Sequence, residues 1–191
     1  VGSEMCIRDS QTPSSRWYSG SGIYRDVELI VTDAVHVSRN GTYVTTPNLA
    51  TEKDGDVTVK VQTDVQNDSS AQAAAQIRTT VLDAEGKAVS KAVTTDVTLA
   101  ANSTAEKEQT LKVNKPALWS TENPNLYYVQ TEVLVDGKVK DTYKTTYGFR
   151  YINFDANTGF SLNGKNVKLK GVCMHLSLIH ISEPTRPLYI S

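Results

Sequence analysis

The residues of this chain that could hold a metal or act as nucleophiles are few, and they lie far apart in the sequence. The three histidines are His36, His175 and His180, and the two cysteines are Cys6 and Cys173. A metal site needs clustered histidine, cysteine or carboxylate ligands, so the pattern predicts no metal site and no bound cofactor in this chain. Cys173 lies close to His175, which raises the hypothesis of a thiol nucleophile, but a buried cysteine more often serves packing.

The acidic residues that attract attention occur in pairs near predicted turns. The pairs are Asp54 with Asp56, Asp64 with Asp68, and Asp83 with Glu85. A carboxyl group that works as a general acid needs apolar neighbours that raise its pKa, and the local sequence supplies none. We interpret these pairs as solvated loop charges and predict no catalytic residue in this chain.

The charge balance and the hydropathy exclude two classes of partner. Lys and Arg number 20 against 21 Asp and Glu, and the net charge is -1. Without a basic stripe to bind phosphates, we predict no nucleic-acid partner. No run reaches the ~18 apolar residues of a membrane helix, so we predict no membrane segment. Neither the compartment nor the oligomeric state follows from this composition.

Alternation of β-branched and aromatic residues with polar ones runs through the middle of the chain. The alternating sets are Val57-Val59-Val61, Ala75-Ile77-Thr79-Val81, Val93-Thr95-Val97-Leu99, Tyr127-Val129-Thr131-Val133-Val135 and Tyr143-Thr145-Tyr147-Phe149. This period of two is the signature of half-buried strands. We predict an all-β fold with an immunoglobulin-like β-sandwich over residues 35–148. We expect Val59, Ile77, Val97 and Val133 to lie inside it. The cysteine pair and the core tryptophan of antibody domains are missing, so the exact topology stays open.

Turn signals separate the predicted strands. They are Asn40-Gly41, Glu85-Gly86, Asp136-Gly137 and Asn163-Gly164. Asp-Gly and Asn-Gly pairs accept the positive φ that tight hairpins need. Residues 71–76 have high helix propensity, but they run directly into the alternation at Ile77. We therefore predict a strand entrance there, with a short helical turn as the alternative.

Both ends of the chain differ in composition from its middle. Residues 1–10 and 176–191 contain one of the two cysteines, two of the six prolines and a cluster of isoleucines. Both stretches resemble translated DNA-sequencing adapter, and segments of such origin are left out of fold reasoning. We expect both to be disordered and to form few contacts with the sandwich.

Several stretches in fixed order resemble a known family. They are Ser15–Leu29, Pro116–Ser120, Pro124–Tyr127, Tyr147–Arg150, Gly159–Lys165 and Leu169–His175. Together they resemble glycoside hydrolase family 2, particularly its bacterial β-galactosidases. The resemblance implies that residues 11–34 end a jelly-roll sugar-binding-type domain with its last strand. It also implies that residues 149–175 begin a catalytic TIM barrel and include its first strand.

The resemblance implies retaining hydrolysis of terminal β-galactosides, which uses two carboxyl groups as acid/base and nucleophile. In the family both glutamates lie far downstream, the first of them within an Asn-Glu pair. This sequence contains no Asn-Glu pair, so we expect the chain by itself to be inactive. The resemblance implies a carbohydrate substrate for the complete enzyme, in which Mg or Na ions are often used.

Two residues are candidates for substrate binding. His175 follows the predicted first barrel strand, where active sites of TIM barrels form, and the matching histidine of the family contacts substrate. This sequence departs from the family at Leu176, where another His or a Glu usually stands. Arg16 is a weaker candidate, because its guanidinium is equally suited to pairing with a carboxylate across a domain junction.

A second hypothesis makes the chain a non-catalytic sandwich module of a bacterial surface adhesin, since a fold alone does not determine function. The flanking motifs favour the enzyme, because an adhesin repeat has no need of them. The sugar stays open among galactoside, glucuronide and mannoside, since related enzymes share the arrangement.

Overall fold

Alternating burial organises most of the described chain into strands. The structure is a computed structural model that describes residues 26–171, in which Val31–Leu169 form one compact unit. The elements are β1 (Val35–Thr45), α1 (Leu49–Glu52), β2 (Asp56–Asn67), β3 (Ala73–Leu82), β4 (Val93–Leu99), β5 (Ser103–Asn114), β6 (Tyr127–Val135), β7 (Lys138–Tyr147), β8 (Ile152–Asp155), β9 (Gly159–Leu162) and β10 (Lys165–Asn166). The adapter-like ends lie wholly outside the described residues. Of the predicted jelly-roll strand over 11–34, only residues 26–34 are described, and they form no strand.

Seven strands form the predicted sandwich. One sheet has the order β1-β2-β5 and the other β4-β3-β6-β7, and every pairing is antiparallel. The longest ladder joins β2 to β5, from Asp56↔Asn114 to Asn67↔Ser103. Each sheet turns one apolar face towards the other sheet, as expected when strands alternate with a period of two. The all-β sandwich is thereby confirmed.

The sandwich core has two apolar halves. The predicted interior residues Val59, Ile77, Val97 and Val133 are all buried, between 0% and 3% exposed. Val59 belongs to the half that contains Phe149, whereas the other three belong to the half beside β4. The Phe149 ring is fully buried and meets Tyr127 and Tyr147 edge-on, at centroid distances of 4.8 and 5.3 Å. This geometry is favourable for aromatic pairs.

A buried polar layer lies between the two apolar halves. Its members are Thr63, Thr79, Gln109 and Thr131. The Gln109 amide Oε1 accepts a hydrogen bond from Thr79 Oγ1 at 2.6 Å, and its Nε2 donates to the carbonyl oxygens of Ile77 and Val93. Gln109 lies on β5 and these partners lie on β3 and β4. The amide therefore ties one sheet to the other with bonds that a buried polar group requires.

Side-chain hydrogen bonds close the edge between β1 and β7. Thr42 Oγ1 lies 2.6 Å from Thr145 Oγ1, and Asp141 Oδ2 accepts from the Val37 amide at 2.9 Å. Asn40-Gly41, predicted as a turn between strands, lies instead inside β1, where the pairing with β2 shifts register between Val37 and Thr42. That prediction was wrong, because the positive φ of Asn40 (56°) also suits a β-bulge.

The other turn predictions are confirmed. Asp136 and Gly137, with φ of 51° and 71°, join β6 to β7 as a two-residue hairpin. Gly86 has φ 83° in the turn after β3, and Ala73 opens β3 as the predicted strand entrance. Helix α1 has one turn, and no helix within residues 26–171 is long and apolar enough to cross a membrane.

Beyond the sandwich, β8, β9 and β10 form a small antiparallel sheet of their own. The predicted Asn163-Gly164 hairpin is confirmed, with Leu162 opposite Lys165 and the Val167 amide donating to the Phe160 carbonyl. Residues 167–171, predicted as part of the first barrel strand, adopt no strand structure. A strand exists only through its neighbours, and within the described part of the chain these residues have only the single bond from the Val167 amide to Phe160.

Candidate functional site

The two candidate substrate-binding residues, His175 and Arg16, lie outside residues 26–171, and so does Cys173. Their roles stay predictions. His36, the only histidine within the described range, lies on β1 with Nδ1 3.0 Å from the Asp33 carbonyl oxygen and Nε2 4.0 Å from Asp68 Oδ2. These contacts connect a strand with neighbouring loops, and they bring no nucleophile to the imidazole.

The acidic pairs singled out in the sequence serve turns and exposed surfaces. Asp83 Oδ1 accepts from the Lys87 amide at 2.7 Å, and Asp56 Oδ1 accepts from Asn114 Nδ2 at 2.8 Å. Asp68 Oδ1 accepts from Gln66 Nε2 at 2.6 Å. The described residues contain no group of three or more His, Cys, Asp or Glu side chains placed to hold a metal ion.

Where a carboxyl pKa in the described part is shifted, it is shifted downward. The pKa of Asp33 is lowered chiefly by a hydrogen bond from Lys140. The Thr121 hydroxyl does the same for the pKa of Glu122, and the backbone amide of Thr158 for that of Asp155. A general acid needs the opposite shift, so these three carboxyl groups are suited to ionised structural roles.

Ion pairs lie on the outer faces of the sheets. Arg78 Nε donates to Glu132 Oε2 at 2.7 Å, which raises the pKa of Arg78. Lys60 and Glu108 form a comparable pair at 3.0 Å across β2 and β5. Pairs of this exposure contribute little to stability.

A groove lies beside the β6–β7 turn. It is lined by Ala74, Ala75, Gln76, Asp96, Val97, Thr98, Leu134, Asp136 and Gly137. Asp96 accepts a hydrogen bond from Gln76 Nε2. The lining has no aromatic ring on which a sugar could stack, so the groove lacks the chemistry of a saccharide site.

A polar cluster lies where the sandwich meets the small sheet. The Arg150 guanidinium lies 5.0 Å from the ring centre of Trp119, and the Trp119 amide donates to the Phe149 carbonyl at 2.8 Å. Asn163 Nδ2 donates to the Trp119 carbonyl at 2.9 Å. The sequence motifs contain these residues, but their mutual contacts were not predicted, because Trp119 and Asn163 are 44 positions apart.

Apolar side chains are exposed on the small sheet. Ile152 is 56% exposed and Phe154 69% exposed on one face of β8, and Phe154 contacts Phe160 of β9 at a centroid distance of 5.1 Å. Leu169, just after the sheet, is 70% exposed. In contrast to the sandwich, this sheet leaves much of its apolar surface uncovered within the described part of the chain.

Known proteins resemble this chain over most of its length. The sequence model of the family described as Glycosyl hydrolases family 2 matches residues 35–150. "Beta-galactosidase BoGH2A" of Bacteroides ovatus is 36% identical over 172 residues, covering 90% of this chain and 20% of that protein. A "Putative beta-glucuronidase" of Formosa agariphila is 39% identical over 163 residues, covering 85% of this chain and 15% of that protein.

A solved structure agrees with the sequence relatives. The crystal structure of a glycosyl hydrolase family 2 member from Bacteroides cellulosilyticus superposes with a TM-score of 0.77 at 37% identity, covering 86% of this chain and 22% of that one. The chain thus spans about a fifth of the length of the relatives that it matches. The family match covers all seven strands of the sandwich and the Trp119 contacts with Phe149 and Arg150, and the chain therefore belongs to glycosyl hydrolase family 2.

Proposed function

We propose that this chain is the central part of a retaining β-galactosidase, in which the sandwich joins a sugar-binding-type domain to a catalytic TIM barrel. The observation that carries the proposal is the family match over residues 35–150, together with 36% identity to a β-galactosidase over 90% of the chain. The same match argues against an adhesin module, because fold likeness alone would not extend to this sequence identity.

The exposed apolar face of the small sheet supports a position next to another domain. Ile152 and Phe154 together present an uncovered aliphatic and aromatic surface on β8. Contiguous exposed apolar surface marks contact sites in soluble proteins, and a sheet is stable when its apolar face is covered by another layer. In the proposed enzyme, the floor of the catalytic barrel covers this face.

The proposed chemistry belongs to carboxyl groups beyond this chain. Retention of configuration needs two carboxyl groups about 5–5.5 Å apart, and the resemblance puts both glutamates in the barrel. Within this chain, His175 is proposed to donate a hydrogen bond to a sugar hydroxyl, and Arg16 is a weaker candidate for sugar contact. The described residues 26–171 contain no cluster of metal ligands, so none of them is assigned to the Mg or Na ions that the resemblance implies for the complete enzyme.

A β-glucuronidase is the second candidate, because the Formosa agariphila relative is named as one and is 39% identical. A glucuronide differs from a galactoside in carrying a carboxylate, which enzymes bind with charge-assisted hydrogen bonds from Arg or Lys. The two candidates therefore predict opposite preferences for the same pair of aryl glycosides.

The substrate test uses the complete enzyme, purified from a host without its own β-galactosidase. We expect kcat/KM for an aryl β-galactoside to exceed that for the matching β-glucuronide. The reverse preference would replace the galactosidase proposal with the glucuronidase one, and turnover of neither would contradict both. The 191-residue chain should hydrolyse neither substrate, because acid and nucleophile are missing; turnover above background would contradict this.

The role of His175 is tested in the same complete enzyme. We expect His175→Ala to lower kcat/KM for the galactoside at least tenfold, about 1.4 kcal/mol of transition-state stabilisation. His36→Ala is the matched control, since His36 lies on β1 of the sandwich, and it should leave kcat/KM unchanged. An unchanged kcat/KM in His175→Ala would reduce that histidine to a structural residue.

A further inference from the structure

One side-chain amide joins three separate segments at the end of the sandwich. Asn163 occupies the turn between β9 and β10 with φ 52°. Its Nδ2 donates to the Trp119 carbonyl at 2.9 Å, and its Oδ1 accepts from the Tyr151 amide at 3.2 Å. Its own backbone amide donates to the Tyr151 carbonyl at 2.9 Å. The nitrogen and the oxygen of the carboxamide are therefore both hydrogen-bonded to backbone groups outside the hairpin.

The Trp119 partner is held firmly to the sandwich. Its amide donates to the carbonyl of Phe149, whose side chain is fully buried in the sandwich core. A Cβ on Gly148 would lie 3.0 Å from Trp119 Cβ, so the two backbones approach as closely as glycine permits. The Arg150 guanidinium adds a cation–π contact to the Trp119 ring.

The Tyr151 partner is the residue that leads into β8. Its ring also meets the hairpin, because a Cβ on Gly164 would lie 3.1 Å from Tyr151 Oη. The small sheet has only β8, β9 and β10, and it exposes Ile152 and Phe154. Leu162 is buried and Tyr151 packs against the sandwich core, but a sheet of this size gains little from packing of its own, so bonds to the sandwich contribute to how it is held.

We infer that Asn163 is a positioning residue, a latch that fixes the small sheet to the sandwich. The latch is separate from the turn itself. Glycine at position 163 keeps the positive φ at no steric cost but deletes the carboxamide. The fold of the sandwich does not require the latch, because its core lies between the two large sheets.

The test compares amide hydrogen exchange in the 191-residue chain and its variants. We expect Asn163→Gly to speed exchange of the Tyr151 and Val167 amides at least tenfold, while amides of Val59 and Val61 in β2 stay within twofold. Asn40→Gly is the matched control: it lies in the other positive-φ Asn-Gly pair, and its side chain bonds no described residue. It should leave the Tyr151 and Val167 amides unchanged.

A second variant distinguishes hydrogen bonding from simple loss of packing. Asn163→Asp keeps the shape of the side chain. When ionised it directs a carboxylate at the Trp119 carbonyl, and when protonated it regains a donor. The ionised form loses the bond to the Trp119 carbonyl, while its Oδ1 still accepts from the Tyr151 amide. Exchange at Val167 should therefore be fast above the carboxyl pKa, about 4 for an ordinary Asp, and slow again below it, after correction for intrinsic exchange. The unsubstituted chain should show no such step.

Three results would overturn the latch. The first is normal protection of Tyr151 and Val167 in Asn163→Gly. The second is loss of protection throughout β2 in that variant, which would make Asn163 a determinant of the global fold. The third is fast exchange of the Val167 amide in Asn163→Asp at every pH, because protonation would then restore the donor without restoring protection.

Discussion

The sandwich and the small β8–β10 sheet differ in how far their apolar side chains are buried. In the sandwich, strands such as β2 place every second side chain in a shared interior, and Val57, Val59 and Val61 are all fully buried. In the small sheet, β8 buries none of its four residues, and Phe154 is 69% exposed. Both regions are antiparallel and both use tight Asn-Gly or Asp-Gly hairpins.

The difference shows that strand pairing and burial are separate requirements. Hydrogen-bonded ladders form in both regions, but only the sandwich has a second layer to cover its apolar face. The small sheet buries Leu162, is bonded to the sandwich through the Asn163 amide, and leaves Ile152 and Phe154 exposed. Its stability should therefore respond to its neighbours, whereas that of the sandwich should not.

The largest expected effect comes from placing a charge in each region. Val59→Asp leaves an unpaired carboxylate in the sandwich core, which a folded chain tolerates poorly, and we expect loss of several kcal/mol or complete unfolding. Phe154→Asp places the same group on the exposed face and should change the free energy of unfolding by about 0.5 kcal/mol or less. Urea unfolding followed by circular dichroism measures the free energy of unfolding of both variants. Equal losses in the two variants would contradict the difference between the sandwich and the small sheet.

A smaller effect is expected from the polar layer inside the sandwich. Gln109→Leu removes the donor to the carbonyls of Ile77 and Val93 and the acceptor for Thr79 Oγ1. Leaving such buried groups unsatisfied costs about 1–3 kcal/mol each, so the urea midpoint should fall. Gln62→Leu on the outer face of β2 is the control and should cost much less. A stabilised Gln109→Leu variant would show that this layer has no energetic value.

The smallest effect is the acid response of two exposed carboxyl groups, one in each region. Lys140 lowers the pKa of Asp33, and the Thr158 amide lowers that of Asp155, both from 3.8. A carboxyl with a lowered folded pKa stabilises the folded state above its unfolded pKa and loses that contribution as pH falls through the folded pKa. Both contacts should therefore weaken as the two carboxyl groups become protonated below pH 3.8.

Carbon NMR titration separates the two carboxyl groups. Lys140→Met should raise the pKa of Asp33 towards its ordinary value, because the hydrogen bond from Lys140 is the largest cause of its shift. Asp155 depends on the backbone of its own turn and should titrate as before. A change in the pKa of Asp155 together with that of Asp33 would mean that the two regions are electrostatically coupled.

The sandwich was predictable from sequence because burial there follows alternation. The interior positions Val59, Ile77, Val97 and Val133 were each predicted, since a period of two assigns every side chain to one face. The Asn40 bulge was not predicted, because a positive-φ pair fits a turn and a bulge equally well. Only the pairing with β2 decides between them.

The polar contacts of Gln109 and Asn163 with other elements were not predictable. Gln109 follows Lys107 and Glu108 in a polar run, and its burial results from the opposite sheet. Asn163 was recognised as a turn residue, but its bond to Trp119 depends on how the hairpin docks. The candidate site residues His175 and Arg16 came from the family resemblance, and the described residues leave them as predictions.

The environment of the two Asn-Gly pairs also determines how the protein ages in storage. Asparagine is thermolabile. When glycine follows, the backbone nitrogen of the glycine is unhindered and can attack the side-chain carbonyl carbon of the asparagine, which releases ammonia. The Asn163 amide is restrained by bonds to Trp119 and Tyr151, whereas the Asn40 amide is exposed and bonds no described residue. Deamidation should therefore begin at Asn40, adding a negative charge to the β1 bulge while the carboxamide at the junction persists.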